Sequence, residues 1–287
     1  MRRFILLILA LATLLPSLAL GYDVLVLQST RNPAYDKVLK GFRNGSNRSE
    51  RVIVLSDYAE VDVVRIERED RPKVILAVGD AALSATRKIQ TTPVVAVMAL
   101  GIHKLIGSHS NLTGIGMFAP PERYISLFQS MNVRRVGIIY NPARSGWYLR
   151  LARQAALAAG IDLVTREVSA PRETIQHLST LAGKVDALWM LPDSTAVTRE
   201  TTEAYFQFGL QQAVPVISFA ANYLGLGASV VLEIDRIAMG RQADDLVAAL
   251  LRGERPDNLP LGFPEGIAIK TNPNVLRHLG KLSNVKE

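Results

Sequence analysis

Short runs dense in Val, Ile and Leu punctuate this chain at Tyr22–Gln28 (YDVLVLQ), Arg51–Leu55, Lys73–Val78, Pro93–Val97, Arg135–Tyr140, Ala187–Leu191 and Pro215–Ser218. A strand with one wet face alternates apolar and polar residues. These runs do not, so they read as strands covered on both faces, as in a parallel sheet. Between them lie segments of helical period. Tyr35, Val38, Leu39 and Phe42 fall at i, i+3, i+4, i+7, as do Tyr124, Leu127, Phe128 and Met131, while Trp147, Leu151 and Ala155 are spaced four apart. Each set marks one buried helix stripe. Helices laid on both faces of a parallel sheet satisfy both patterns, and the predicted class is doubly wound α/β.

The order of elements recurs. VLVLQ leads to Asn32-Pro33 and a helix, then KVILAV leads to Gly79-Asp80-Ala81, a helix, and Pro93-Val94 opening a strand. Later VGIIY leads to Asn141-Pro142 and a helix, then DALWML leads to Pro192-Asp193-Ser194, a helix, and Pro215-Val216. The two Asn-to-Asp intervals are 48 and 52 residues, so two lobes of similar wiring are expected in tandem, with the break between Asn111 and Pro121. Asn32 suits an N-cap followed by Pro33 at the first helical position, and Gly160 and Gly253 suit helix ends.

A length of 287 residues accommodates two such lobes at roughly 100–200 residues per domain. With 48% hydrophobic residues and no cysteine, the chain is an ordinary folded protein without thiol nucleophiles, thiolate metal sites or disulfides. The net charge is +7, of which Arg2 and Arg3 contribute two, leaving +5. No dense Lys/Arg block remains, so nucleic acid is not an expected partner. Residues 1–21 read as an export signal: Arg2-Arg3, the apolar run Phe4–Leu15, Pro16, and Ala19-Leu20-Gly21 before Tyr22. A run of twelve residues falls short of the roughly 20 that span a bilayer. The mature chain is therefore expected outside the cytoplasm and soluble after cleavage; a retained N-terminal anchor is the alternative.

In open parallel sheets ligands bind beyond the carboxyl ends of the strands, where loops enter helix N-termini. Ser29, Thr30, Asn32, Gly79, Asp80, Ala81, Met98 and Ala99 fall there in the first half, and Tyr140, Asn141, Ser145, Asp193, Ser194, Phe219 and Asn222 in the second. Hydroxyls, amides and free helix N–H groups suit an anionic end, and an aspartate suits an ammonium or hydroxyls, so the set describes a small polar or zwitterionic ligand. Asp80 and Asp193 also fit a plainer role as helix caps. Tyr140, Trp147, Tyr148, Phe219 and Tyr223 can form an aromatic wall or serve as core.

Enzyme signatures are thin. His103, His109, His177 and His278 share no metal-ligand spacing. Gly225-Leu226-Gly227 lacks the third glycine of a dinucleotide loop and reads as a turn into a strand at 228–233. There is no Gly-x-Ser-x-Gly elbow and no phosphate-binding Lys motif. No nucleophile is paired with a base, and neither catalysis nor a cofactor is expected.

One order of motifs runs through most of the chain: Asn111-Leu112-Thr113-Gly114, VGIIYNP at 136–142, Val185-Asp186-Ala187, Val214-Pro215-Val216, and Gly227-Ala228-Ser229. It continues with the helix from Gly240 to Gly253, Leu259-Pro260, and Lys270-x-Asn272 before Leu279-Gly280. In this the chain resembles the ABC-transporter substrate-binding proteins of the family that includes tryptophan and aromatic amino-acid binders, a branch of the type I periplasmic binding fold. The resemblance implies two lobes joined by a hinge that close over one small molecule, an amino acid with aromatic types favoured. It further implies a monomer that delivers the ligand by docking on an ABC permease in the membrane. It places 22–116 in the first lobe, with about 235–261 returning to it, and 117–234 in the second with about 262–287. Crossings are expected near Thr113–Met117, near Ser218–Asn222 or a little later, and near Leu261–Phe263. The pocket it implies draws on Ser29, Thr30, Asn32, Asp80, Ala81, Asn141, Ser145, Asp193 and Phe219. The chain departs from the family pattern at Met98-Ala99-Leu100-Gly101, where relatives commonly carry Asp-Pro, and is short at 44–51.

Other functions compete. A sensor that presents its ligand to a receptor would share the lobes and differ in a partner surface. A secreted α/β enzyme acting on a sugar or nucleotide would need a nucleophile–base pair. An intracellular repressor would need a DNA-binding helix-turn-helix where the export signal stands.

Overall fold

The structure, a computed structural model, describes residues 21–45, 47–105 and 109–280. The expected export signal, apart from Gly21, lies outside the described residues. The first sheet contains β1 (Val24–Gln28), β2 (Glu50–Val54), β3 (Val74–Val78), β4 (Val94–Val97) and β5 (Leu112–Gly114), all parallel in the order β2-β1-β3-β4-β5. The second contains β6 (Arg135–Tyr140), β7 (Asp162–Glu167), β8 (Ala187–Trp189), β9 (Val216–Ser218), β10 (Val230–Ile234) and β11 (Ile267–Thr271), in the order β11-β10-β9-β8-β6-β7. Only β11 runs antiparallel, against β10. Read from its other edge, β7-β6-β8-β9-β10 repeats the order of the first sheet with β11 added, so the duplication is present in the topology.

The helices are α1 (Pro33–Arg43), α2 (Val63–Asp70), α3 (Asp80–Ala85), α4 (Ile102–Leu105), α5 (Pro121–Ser130), α6 (Pro142–Ala158), α7 (Pro171–Ser179), α8 (Arg199–Gln211), α9 (Arg236–Leu251) and α10 (Pro273–His278). Every residue of β1 is buried, and its side chains divide by alternation. Val24 and Val26 join Val38, Leu39 and Phe42 of α1 on one face, while Leu25 and Leu27 join Ile53, Leu83 and Ile102 on the other. Covering both faces is what makes an unbroken apolar strand favourable, at roughly 1.5–3 kcal/mol per buried Val or Leu side chain. As expected, the side-chain oxygen of Asn32 accepts from Ala34 N–H at 2.8 Å ahead of Pro33, and Asn141 caps α6 in the same way, accepting from Ala143 N–H at 2.8 Å ahead of Pro142.

α9 follows a strand of the second sheet yet packs on the first lobe, where Met239, Ala243 and Val247 share the cluster of α1 and β1. Two glycines allow this approach. A Cβ on Gly240 would stand 2.0 Å from the Val38 carbonyl oxygen, and one on Gly41 2.1 Å from that of Ile237. An Arg48–Asp244 ion pair lies beside the contact.

The chain passes between the sheets at 115–120, at 235 and at 262–266. The first and third passages run side by side: Gly116 N–H donates to Gly262 O at 2.9 Å, and Gly262 N–H to Gly114 O at 3.0 Å. Of the two expected positions for the second crossing, Ser218–Asn222 is not used. The 3₁₀ turn Ala221–Leu226 stays with the second sheet and feeds β10, which pairs with β9 through Val230 and Ile217. The α6 stripe is also out of phase with expectation. Its buried face is Ser145, Tyr148, Leu149, Ala152 and Ala156, and Leu151 is exposed.

Candidate functional site: the cleft between the lobes

Both sheets reverse strand order next to their first strand, between β1 and β3 and between β6 and β8, and the loops at those carboxyl ends face each other. A cavity of about 420 Å³ lies between them. Asn32, Tyr35, Asp80, Met98 and Leu100 line it from the first lobe, and Pro192, Asp193, Ser194, Val197, Phe219 and Ala220 from the second. Met117 on the first crossing adds to it, as do Ile234 and Arg236, which flank the second. A second cavity of about 520 Å³ adjoins it, shares Asp80, Leu100, Pro192 and Ser194, and reaches Arg87, Lys104 and Arg144.

Asp80 opens α3, and its carboxylate accepts from the N–H groups of Gly101 at 2.7 Å and Leu100 at 3.2 Å. It thereby fixes the loop after β4, in which Met98 takes a left-handed φ of 57°, a conformation uncommon for a non-glycine residue. Ser29 accepts from Ala82 N–H at 2.8 Å and bonds the Tyr35 hydroxyl. Burial pushes the Tyr35 hydroxyl pKa upward, and the negative charge of Asp80 adds to the shift.

In the second lobe Asp193 is 2% exposed and closes a ring of its own. One carboxylate oxygen accepts from Asn141 N–H at 2.8 Å and from the Ser145 hydroxyl; the other accepts from Thr195 N–H at 2.9 Å and Ala196 N–H at 3.1 Å. Four donors from its own lobe surround this carboxylate.

At the second crossing Arg236 donates from Nη1 to Glu233 Oε1 at 3.2 Å, and Lys270 Nζ donates to Glu233 Oε2 at 2.7 Å. Burial works to raise the Glu233 pKa, but the bonds from Lys270 and Arg236 outweigh it and the net shift is downward. The lobes also touch through rings. His103 of α4 stacks on Trp147 of α6 with centroids 3.4 Å apart and planes at 22°, and burial lowers the His103 pKa to about 4.

Of the residues expected in the pocket, Asn32, Asp80, Asp193 and Phe219 line the 420 Å³ cavity. Ser29, Thr30, Ala81, Asn141 and Ser145 do not: Ser29, Asn141 and Ser145 hold loop backbone or Asp193, and the Thr30 carbonyl accepts from Gln28 Nε2 at 2.8 Å. Tyr140 and Tyr148 belong to the core, bonding Glu167 and the Ala119 carbonyl. Tyr35, Met117, Ile234 and Arg236 were not anticipated as lining residues. Tyr35 is the first rung of a helical stripe, Met117 lies on the first crossing, and Ile234 and Arg236 flank the second.

A two-lobed α/β molecule whose loops meet around a small cavity is a ligand-binding architecture, and the comparisons with known proteins agree. Residues 23–284 match the ABC transporter substrate binding protein family, and the chain belongs to it. It is 22% identical over 277 residues to a tyrosine-binding protein of Clostridioides difficile (strain R20291), covering 88% of this chain and 79% of that one. A ligand-free, open substrate-binding protein with adhesive properties from Clostridium difficile superposes with a TM-score of 0.69 at 18% identity, covering 90% of this chain and 95% of that one. A Streptococcus pneumonia ABC domain in complex with L-Trp gives a TM-score of 0.60, again at 18% identity and with 90% and 95% covered. Among the described residues no helix is long and apolar enough to cross a membrane.

Proposed function

We propose that this protein is an extracytoplasmic solute-binding protein that closes its two lobes over one amino acid, with an aromatic or other apolar side chain, and hands it to an ABC importer. The observation that carries the reading is the composition of the 420 Å³ cavity, where Met98, Leu100, Met117, Phe219 and Ile234 form apolar walls around Asp80, Arg236 and the Tyr35 hydroxyl. A zwitterion with an apolar side chain needs both signs of charge and such a wall, and the volume lies in the range of small-molecule sites. The tyrosine and tryptophan named for the relatives favour an aromatic side chain. The export signal argues for the compartment, and the three slender crossings argue for a hinge. The chain acts as a monomer and docks on the permease without entering the membrane.

Calorimetry of the mature protein against the 20 amino acids tests this. The expected result is one site per chain, with L-tyrosine or L-tryptophan among the ligands, and a stabilisation of about 2.7 kcal/mol at 100 times the dissociation constant. Binding of none of them, or catalytic turnover of any, overturns the reading.

A further inference from the structure

Among the charged residues lining the 420 Å³ cavity, the two carboxylates are already occupied: Asp193 by four donors and Asp80 by two backbone N–H groups. Arg236 differs. It is the first residue of α9, directly after the crossing at Asp235, and only one corner of its guanidinium is engaged, through Nη1 on Glu233. Its Nε is buried and donates to no protein atom, which is uncommon for so strong a donor. Glu233 is itself held by Lys270 from β11, so the guanidinium is braced from behind. A guanidinium braced at Nη1 offers its Nε and Nη2 hydrogens as a parallel pair, the spacing that matches the two oxygens of a carboxylate.

We propose that Arg236 anchors the ligand's carboxylate through this Nε–Nη2 edge, so that the cleft selects ligands bearing a free carboxylate over the corresponding amines. The inference rests on the amino-acid reading above and adds the residue and group that decide selection. Arg236 also stands where the chain passes between lobes, on a helix seated against α1 through Gly41 and Gly240. A ligand held there is tied to the hinge, so occupancy and lobe closure act on the same residue. The contrasting possibility is that Arg236 is only a structural partner of Glu233.

The test is a comparison of L-tyrosine with tyramine, and of L-tryptophan with tryptamine, titrated up to millimolar concentration into the wild-type protein, Arg236→Gln and Arg236→Lys. A charge-assisted carboxylate pair predicts that wild type prefers each acid over its amine by about 10- to 150-fold. Arg236→Gln should erase that preference by weakening the acid while leaving the amine within about threefold, a coupling that a merely structural role would not produce. Arg236→Lys keeps the charge beside Glu233 but loses the paired donors, and should recover only part of the preference; it also serves if the Gln variant folds poorly. Wild type that binds an acid which Arg236→Gln and Arg236→Lys bind equally well overturns this inference and leaves the amino-acid reading standing. Failure of wild type to bind any amino acid overturns both.

Discussion

Replacing Asp193 separates a framework role from direct ligand contact. Its carboxylate sits 2% exposed with four donors around it, two from the Asn141–Ser145 turn of α6 and two from the Thr195–Ala196 backbone. In Asp193→Asn the amide keeps one acceptor oxygen. If that oxygen faces Thr195 and Ala196, the NH2 group faces Asn141 N–H and the Ser145 hydroxyl. The hydroxyl can rotate to accept, but the backbone N–H cannot. One buried donor then loses its acceptor, at about 1–3 kcal/mol, and the surviving bonds lose their charge assistance. A total of about 2–4 kcal/mol follows, and the ligand-free protein should melt on the order of 10 °C lower. Asp193→Ala strands all four donors and should cost about 3–5 kcal/mol, while Ser145→Ala, which removes one donor, should cost about 1–3 kcal/mol. Thermal and urea unfolding of the ligand-free variants give these values, and calorimetry gives affinity on the same samples. Unchanged stability with a tenfold or greater loss of affinity in Asp193→Asn would refute the framework role.

Three further outcomes test the packing between and within lobes. Burial holds the His103 pKa near 4 against an ordinary 6.5, so between those pH values the unfolded chain binds a proton that the folded chain refuses. Stability should therefore be insensitive to this group above pH 6.5 and fall as pH is lowered from 6.5 to 4; His103→Phe, which keeps a ring against Trp147, should flatten that part of the melting profile. Gly240→Ala places a methyl 2.0 Å from the Val38 carbonyl and should destabilise by about 3 kcal/mol or more by forcing α9 off α1. Gly225→Ala, which meets no atom within 4 Å, should leave the melting temperature within a degree or two.

Most strands that periodicity exposed are buried on both faces, where a continuous apolar run identifies the element without tertiary help; β2 departs from that expectation, since at the sheet edge its Arg51 and Val52 are exposed and only Ile53 and Val54 are buried. The three that periodicity did not mark have physical reasons. β5 is three residues long, and β7 and β11 lie at sheet edges with partly exposed, mixed sequences (DLVTRE and IAIKT) that carry no unbroken run. The phase of α6 was off because Trp147 leaves the core stripe to stack across the cleft on His103, a contact between residues 44 positions apart that helical spacing cannot encode. For the cleft, strand-end logic located the right loops but not the direction of each side chain. Ser29 and Asn141 sit in those loops and Ser145 in the first turn of α6, and all three spend their polar groups holding the loops.

The repeat explains why the rest of the site was harder to see. Asp80 and Asp193 occupy corresponding places in the two halves, yet Asp80 reaches forward to the loop after β4, while Asp193 reaches back to the turn after β6 as well as into its own loop. Both carboxylates end on backbone N–H groups, so the duplicated parts of the fold use their acidic residues to shape the cleft. The group left with free donors, Arg236, opens α9 after the second crossing, and its brace from Lys270 comes from the added strand β11, which has no counterpart in the first sheet. Two copies of one lobe make a cleft symmetric in its wiring. A ligand with distinct ends requires an asymmetric set of charges, and the unrepeated strand β11, whose Lys270 braces Arg236 through Glu233, contributes that asymmetry.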